Sequence, residues 1–295
     1  MRYLKAFFLL FLLIPFFSLA QSGSKYLNDS SRIDKGFDFM VSGGVYFANK
    51  YNADYYNGSP QNENGLDYIF KNKYWYDDIN QLMIEKYSYI SDSVFLGDLP
   101  QNMSYNPNMS ISFGFRYKFN KNWGISLFYS YTKITASDRF YLDYKTPSGN
   151  IRPGYISEYL VGQESRSVFD LSTSYLFQFH SIVKPFVEFG VQFNFVDVKK
   201  YIALIEGKEY NLLDYYQGAY YTPNSQMQKF DTKYGGPGFG FSFSTGIKLA
   251  FNKFFSIDPT FYLSASSFGL TGYKNIALNY GALIRVFMSD LVFSK

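Results

Sequence analysis

Residues 109–119 read Met-Ser-Ile-Ser-Phe-Gly-Phe-Arg-Tyr-Lys-Phe, so apolar or aromatic side chains alternate with small or polar ones throughout. A period of two sustained over this length predicts a β-strand with one apolar face and one polar face. Strands of soluble sheets usually have about five or six residues. A tilted strand that crosses a bilayer needs about 9–11. The stretch therefore predicts a membrane-crossing strand.

The same alternation recurs along the chain and predicts eight strands in all. They cover residues 37–47, 109–119, 123–131, 169–179, 187–195, 239–251, 257–265 and 276–286. The seventh segment contains Pro259, which has no N–H to donate to a neighbouring strand. We therefore expect that strand either to begin after the proline or to carry a bulge.

The connections between these segments alternate between short and long. Residues 120–122, 180–184 and 252–253 are tight turns, whereas 48–107, 136–166 and 199–237 are long. In transmembrane barrels the short turns lie on the periplasmic side and the long loops outside the cell. The predicted fold class is all-β: an up-and-down antiparallel transmembrane β-barrel of eight strands with long extracellular loops.

Aromatic residues make up 22% of the chain, with 30 Tyr and 33 Phe, yet the mean hydropathy is only -0.17. We predict that the Phe-rich stripes face lipid, because an eight-stranded lumen is too narrow for dozens of rings. A soluble barrel with a Phe core is excluded on the same ground. Rings beside the short turns are expected to form an interfacial girdle. These are Tyr117, Phe119, Trp123, Phe179, Phe251 and Phe254.

The first twenty residues have the three-part pattern of a secretory signal peptide. Arg2 and Lys5 precede an apolar run over residues 6–17, and Ser18-Leu19-Ala20 ends it with small residues. We predict a signal peptide over 1–20, an N-terminal periplasmic segment over 21–36 and the barrel over 37–293. The chain has no Cys, which excludes disulfides and a lipoprotein anchor. The predicted location is the outer membrane.

Across residues 37–293 this pattern resembles the small eight-stranded barrels of Gram-negative outer membranes, the family that includes OmpA and OmpX. The likeness lies in alternation and connection lengths. It implies a closed barrel whose outer partners are membrane lipid and lipopolysaccharide.

Several charged residues fall on the inward face in this register. They are Asp38, Arg116, Lys118, Asp170, Glu188, Lys248 and Arg285, with Asp258 beside the proline. A narrow lumen leaves such charges little water, so they must pair. We predict an ion-pair network in which Glu188 meets Arg116, Arg285 or Lys248. We interpret it as a plug; the alternative is a selectivity filter or gate.

The residue types needed for catalysis or metal binding are scarce. The single His is His180, in a predicted periplasmic turn, and no segment has the spacing of a calcium loop. We therefore predict no catalytic residue, no cofactor and no metal. The formal net charge is +4 with Lys and Arg dispersed, so nucleic acid is excluded as a partner.

The long loops are rich in aromatic residues that suit recognition of proteins or glycans. The candidate interaction surface comprises Tyr55, Tyr56, Tyr74, Trp75, Tyr76, Tyr215, Tyr216, Tyr220 and Tyr221. These rings could equally pack together as a lid. A short amphipathic helix is predicted over residues 77–86, with Ile79, Leu82 and Met83 on one side.

We predict a non-enzymatic surface protein that acts through these loops, as an interaction or scaffold protein or as an accessory subunit of an outer-membrane complex. Other outer-membrane proteins or surface ligands would be its partners. The alternative is a narrow channel for small solutes.

Overall fold

The computed structural model describes residues 35–62, 65–87, 90, 93–145, 154–178, 183–213, 234–251 and 255–289. Eight long antiparallel strands form a closed ring within these ranges. They are β1 (Gly36–Phe47), β4 (Asn108–Lys118), β5 (Trp123–Tyr144), β6 (Gly154–Leu176), β7 (Val183–Ile205), β9 (Gly235–Ala250), β10 (Phe255–Ser266) and β11 (Ala277–Ser289). Each pairs with the next in this order, and β11 pairs with β1 to close the barrel. The predicted eight-stranded barrel is confirmed.

The two faces of the wall differ as the alternation predicts. On β4, Phe113 and Phe115 are 50% and 55% exposed, whereas the adjacent Ser112 and Arg116 are 3% and 7% exposed. The outward rings of neighbouring strands pack on one another, as Phe189 does on Phe243 at 4.9 Å. An apolar belt therefore surrounds a polar interior, which is the arrangement of a barrel that spans a membrane.

The predicted girdle is partly described. Tyr117 and Phe119 pack edge to face at 5.2 Å beside the first short turn, and Trp123 follows on the other side of it. In that turn the Asn120 side chain accepts hydrogen bonds from the backbone N–H groups of Asn122 and Trp123. Phe179 and Phe254 lie outside the described residues, as do the predicted signal peptide, most of the predicted segment 21–36, His180 and residues 290–293.

The prediction for Pro259 was wrong. β10 starts at Phe255 and keeps one register against β11 from Phe255 to Ser266. Against β9 the pairing is interrupted at residues 258–259 and resumes at Thr260 in the same register. The proline thus omits ladder bonds on one side of the strand without adding a residue.

Three strands are much longer than a bilayer requires. β5, β6 and β7 have 22, 23 and 23 residues, whereas β1, β4, β10 and β11 have 11–13. The prediction of a long loop over 136–166 was therefore wrong, because β5 and β6 stay paired up to Tyr144 and Gly154. Likewise β7 continues to Ile205 and turns back through β8 (Lys208–Asn211). We call residues 132–144, 154–166 and 196–205 the raised wall.

The described part of the first long loop is folded, and we call residues 48–62, 65–87, 90 and 93–107 the cap. It contains α1 (Lys50–Ala53), a 3₁₀ turn (Asp54–Tyr56), α2 (Asp67–Lys71), α3 (Lys73–Lys86), β2 (Val94–Leu96) and β3 (Ser104–Tyr105). The predicted helix is present but starts four residues earlier, because the Asn72 side chain caps it by accepting from the N–H groups of Tyr74 and Trp75. No helix in the described ranges is long and apolar enough to cross a membrane.

The cap packs against the inner face of the raised wall and forms an apolar core outside the membrane. Trp75, Ile79 and Met83, one helical turn apart on α3, are buried. They belong to one cluster with wall residues such as Phe140, Leu142, Leu160 and Ala203. The strands β2 and β3 also join the sheet by pairing with β5. The cap is thus a compact body fixed to the barrel.

Candidate functional site

The lumen holds a buried ion-pair network in the membrane-spanning half of the barrel. Glu188 on β7 receives Arg116 on β4, whose Nη2 lies 2.6 Å from Oε1, and Arg285 on β11, which binds the other carboxylate oxygen. Ser126 and Ser244 accept further hydrogen bonds from the two guanidinium groups. We call Arg116, Glu188 and Arg285 the inner network. It connects three strands across the lumen.

Each guanidinium of the inner network also lies over an aromatic face. Arg116 is 3.9 Å from the ring centroid of Phe287, and Arg285 is 5.0 Å from that of Phe128. These two rings point inward and form a small buried cluster with Met40. Charged and apolar side chains therefore pack on one another in the lumen at this level.

The other predicted lumen charges lie nearby without joining Glu188. Lys118 pairs with Asp38 at 2.9 Å, and Asp258 lies 3.9 Å from Arg116. Lys248 makes no ion pair with Glu188 among the described residues. The acidic group that interacts with it most strongly is Asp258. Asp170 is instead held by Gln192 at 2.8 Å.

A second buried network lies higher in the lumen, where sequence reasoning expected a loop. Arg166 and Glu164, both on β6, are 1% and 0% exposed and pair at 2.6 Å. Arg166 also lies 3.2 Å from the hydroxyl of Tyr46, and its guanidinium is 3.8 Å from the ring centroid of Phe268. Alternation along β6 accounts for both positions, because Phe169 faces outward and residues 166 and 164 therefore face inward.

The cap completes this second network. The hydroxyls of Tyr56 and Tyr105 donate to the same oxygen of Glu164, at 2.6 and 3.0 Å. Burial, together with the negative charge of Glu164, raises the pKa of both tyrosines well above the ordinary value, so they remain donors. Gly162 leaves room for Tyr56: a Cβ there would lie 2.2 Å from the ring. We call Glu164, Arg166, Tyr56 and Tyr105 the outer network.

Between the two networks is a cavity of about 40 Å³. Serine hydroxyls and apolar side chains both line its wall, with Arg285 and Glu188 below and Arg166 above. One buried nitrogen of Arg166, Nη2, has no hydrogen-bond partner. A water needs roughly 10–15 Å³, so the cavity has room for a few waters at most and not for a continuous column. The lumen is therefore filled at two levels in this conformation.

Several of the predicted interaction residues are buried in the cap. Tyr55, Tyr56 and Trp75 are 3%, 0% and 7% exposed and belong to the apolar core, so as surface residues they were predicted wrongly. They act as part of a lid because the raised wall offers them an apolar face. Tyr74 is 53% exposed and Tyr76 is half-buried. Tyr215, Tyr216, Tyr220 and Tyr221 lie outside the described residues.

Polar contacts fix α3 to the hairpin formed by β7 and β8. Asp78 accepts hydrogen bonds from Lys208 and from the Tyr210 hydroxyl, each at 2.6 Å. At the other end of the helix, Lys86 and Tyr87 bind the carboxylate of Glu206 in the hairpin turn. The described residues contain no cluster of three or more acidic or His side chains suited to a metal ion.

Comparison with solved structures finds small outer-membrane β-barrels. Neisserial surface protein A is 11% identical, with a TM-score of 0.44 over 86% of this chain and 96% of that one. The N-terminal barrel domain of Pseudomonas aeruginosa OprF is 10% identical, with a TM-score of 0.35 over 87% and 98%. Ail of Yersinia pestis, solved with the heparin analogue sucrose octasulfate, is 8% identical, with a TM-score of 0.33 over 86% and 99%. The sequence matches no protein-family model and no curated protein.

Proposed function

We propose that this chain is a non-enzymatic outer-membrane barrel that displays the cap as a rigid interaction module, either for a surface ligand or for another subunit of an outer-membrane complex. The observation that carries the proposal is the folded core shared by the cap and the raised wall. Only about 9–11 residues per strand are needed to cross the membrane. The remaining residues of β5, β6 and β7 serve to hold the cap.

The energetics favour a structural role for the cap rather than that of a mobile loop. Its apolar residues Ile69, Ile79 and Met83 are all 0% exposed. Burying a side chain of this size stabilises by about 1.5–3 kcal/mol. Rigid presentation lowers the entropy cost of binding, because few groups must be ordered when a partner arrives.

Site-specific photo-crosslinking in the native membrane tests the proposal. A crosslinking residue at Tyr74, which is exposed on α3, should capture a macromolecule, whereas the same residue at the lipid-facing Phe113 should capture only lipid. Gly162→Ala displaces Tyr56 and should abolish the cap crosslink. The matched control is Gly43→Ala, whose Cβ meets only Met109 at 3.6 Å, and it should leave the crosslink unchanged. Absence of any macromolecular crosslink at Tyr74, Tyr76 and Ile84 would contradict the proposal.

Planar-bilayer recording distinguishes the interaction module from the alternative function, a narrow solute channel. A sealed lumen gives no steady current, and Gly162→Ala should not create one because the inner network stays intact. If the wild-type chain conducts, and Glu188→Gln reverses or abolishes the ion preference, the channel is the better description.

A further inference from the structure

The upper part of the lumen cavity contains a buried cation with unused hydrogen-bond donors. Arg166 lines the cavity and is almost completely buried. Its Nε donates to Glu164, and its Nη1 lies 3.2 Å from the Tyr46 hydroxyl, whereas Nη2 has no partner among the described residues. Buried polar groups are nearly always hydrogen-bonded, because an unpaired charged donor is costly away from water. The cavity is the space in which a partner for Nη2 can lie.

Two hydroxyl side chains lie at the same level of the lumen as Arg166. Thr132 on β5 pairs in register with Arg166 on β6 and, on its other side, with Ser110 on β4. Cross-strand neighbours on one face of a sheet have Cβ atoms about 4.5–5.5 Å apart. All three residues are buried, and all three line the cavity. We call Ser110, Thr132 and Arg166 the donor row.

A second row of hydroxyls continues from the donor row toward the inner network. Ser42, Ser112 and Ser130 pair in register across β1, β4 and β5, and all three line the cavity. Ser130 donates to Ser112 at 2.8 Å, and Ser42 Oγ has no hydrogen-bond partner within the described part of the chain. A hydroxyl can rotate to donate. This side of the cavity is therefore rich in groups that can donate to a ligand.

The carboxylates around the cavity are already bound by other groups. Glu188 is held by the two arginines of the inner network, and Asp170 accepts from Gln192 at 2.8 Å. Asp170 is four residues from Arg166 on β6 in the periplasmic direction, which is about 13 Å along the strand. Both oxygens of Glu164 are occupied, one by Arg166 and the other by the two cap tyrosines. A ligand in the donor row therefore meets mainly N–H and O–H groups.

The size of the cavity limits the ligand to a small ion. A volume of about 40 Å³ has room for about three water-sized groups. Sulfate and phosphate, which have four oxygens around a central atom, need more room than this. A halide is a single atom and leaves space for a water beside it. An anion also gains more than water does from a guanidinium, because charge-assisted hydrogen bonds are roughly twice as strong as neutral ones.

We propose that the donor row binds one chloride ion, or another halide of similar size, between Arg166 Nη2 and the hydroxyls of Ser110 and Thr132. The ion connects β4 and β5 to the arginine that joins the cap through Glu164. The site lies inside the lumen, so the inference does not rest on what the cap binds.

Crystals of the protein purified from its own membrane and grown with bromide in place of chloride test the position of the ion. Bromide scatters anomalously, so its position can be distinguished from that of a water. One anomalous peak is expected inside the lumen, within hydrogen-bond reach of Arg166 Nη2 and of the Ser110 and Thr132 hydroxyls. Bromide on the outer surface only, or waters alone in the cavity, would overturn the proposal.

Urea unfolding at fixed ionic strength tests the site in solution. Bromide replaces gluconate, which is too large for the cavity, and an ion that binds only the folded state stabilises it by mass action. Thr132→Val should raise the half-saturating bromide concentration at least about tenfold, because a hydrogen bond to a charged group is lost. The matched control is Thr260→Val, because Thr260 is as buried as Thr132, each at 5% exposed, and lies outside the cavity lining. The control should respond to bromide like the wild-type chain.

Ser110→Ala is an independent variant of the donor row, and it covers the case in which Thr132→Val does not fold. It should also weaken bromide binding at least about tenfold for the same reason. A general effect of bromide on the barrel would act equally on all variants. The same bromide dependence in the donor-row variants as in Thr260→Val would therefore show that no ion binds there.

Discussion

The inner and outer networks use the same chemistry in different structural settings. In the inner network one carboxylate, Glu188, joins two arginines from strands across the lumen. In the outer network Glu164 and Arg166 are two residues apart on one strand, and the other hydrogen bonds to Glu164 come from Tyr56 and Tyr105 of the cap. The inner network is therefore formed by barrel residues alone, whereas the outer network depends on the folded cap.

This difference predicts that the inner and outer networks can be disrupted independently of each other. Removing the Glu188 charge should weaken the closure of the barrel itself, while changes at Glu164 should release the cap and leave the membrane-spanning strands in place. Variants with progressively smaller expected effects test whether the two networks are independent.

The largest effect is expected for Glu188→Gln, which keeps the volume but removes the carboxylate that Arg116 and Arg285 share, leaving Arg116 only the more distant Asp258 at 3.9 Å. Breaking a buried pair in this way costs about 3–5 kcal/mol of unfolding free energy. Urea unfolding in lipid vesicles measures it. Glu209→Gln breaks an exposed pair with Lys200 and should cost no more than about 1 kcal/mol. Equal losses in the two variants would show that the inner network does not stabilise the barrel.

The next effect is expected for Glu164→Gln. Arg166 would lose its carboxylate but keep the Tyr46 hydroxyl, the Phe268 ring face and access to the cavity. The loss should be about 2–3 kcal/mol, below that for a fully broken pair. Hydrogen exchange should accelerate in α1 and α3 and not in β10 or β11. Acceleration in the barrel strands as well would mean that the two networks are coupled.

The sequence predicted the barrel and the inner network because both follow from strict alternation in strands buried in a uniform environment. Glu188, Arg116 and Arg285 could be placed inward from parity alone. Alternation gives the face on which a residue lies but not its partner. The predicted network therefore includes Lys248, whose acidic neighbour is Asp258. Distances across a lumen depend on strand stagger, which alternation does not specify.

The outer network and the cap could not be predicted in the same way. The outward residues of β6 above Phe169 are polar, as at Ser167 and Ser165, so the apolar signal of the strand disappears. A register shift at Gln163 and Glu164 against β7 then interrupts the pairing. Tyr55 and Trp75 looked like surface rings because nothing local shows that a raised wall will cover them. Tertiary contacts decide their burial.

A smaller effect is expected for Tyr105→Phe, which removes one of the two hydroxyls that reach Glu164. The ring can stay in place, so only the hydrogen bond to a charged group is lost, worth about 1.5–3 kcal/mol. Tyr56 still donates to the same oxygen. The cap should exchange faster while the barrel unfolds at an unchanged urea concentration. Tyr273→Phe, which removes a hydroxyl bound to Asn62 in the cap, is the control without contact to the outer network.

The smallest effect is a pH dependence confined to the cap. Glu158 on the raised wall accepts a hydrogen bond from the N–H of Glu206 at 3.1 Å. Burial raises the pKa of Glu158 to about 7; the N–H and Lys86 oppose the shift, and the Glu206 charge adds to it. Opening of the cap would expose this group to water and move its pKa from about 7 toward its ordinary value of 4.5. Between these two values the closed cap holds a proton that the open cap releases.

Stability of the closed cap should therefore be greatest at the acidic end of this window and fall as the pH rises through 7. Hydrogen exchange in α3, corrected for the intrinsic effect of pH, should be faster at pH 8 than at pH 5.5, with β10 and β11 unchanged. Glu158→Gln keeps the acceptor for the Glu206 N–H and removes the titration, so its α3 protection should be the same at both values. A pH response that persists in Glu158→Gln would assign the effect to another titratable group. The pH dependence of the cap would then not arise from Glu158.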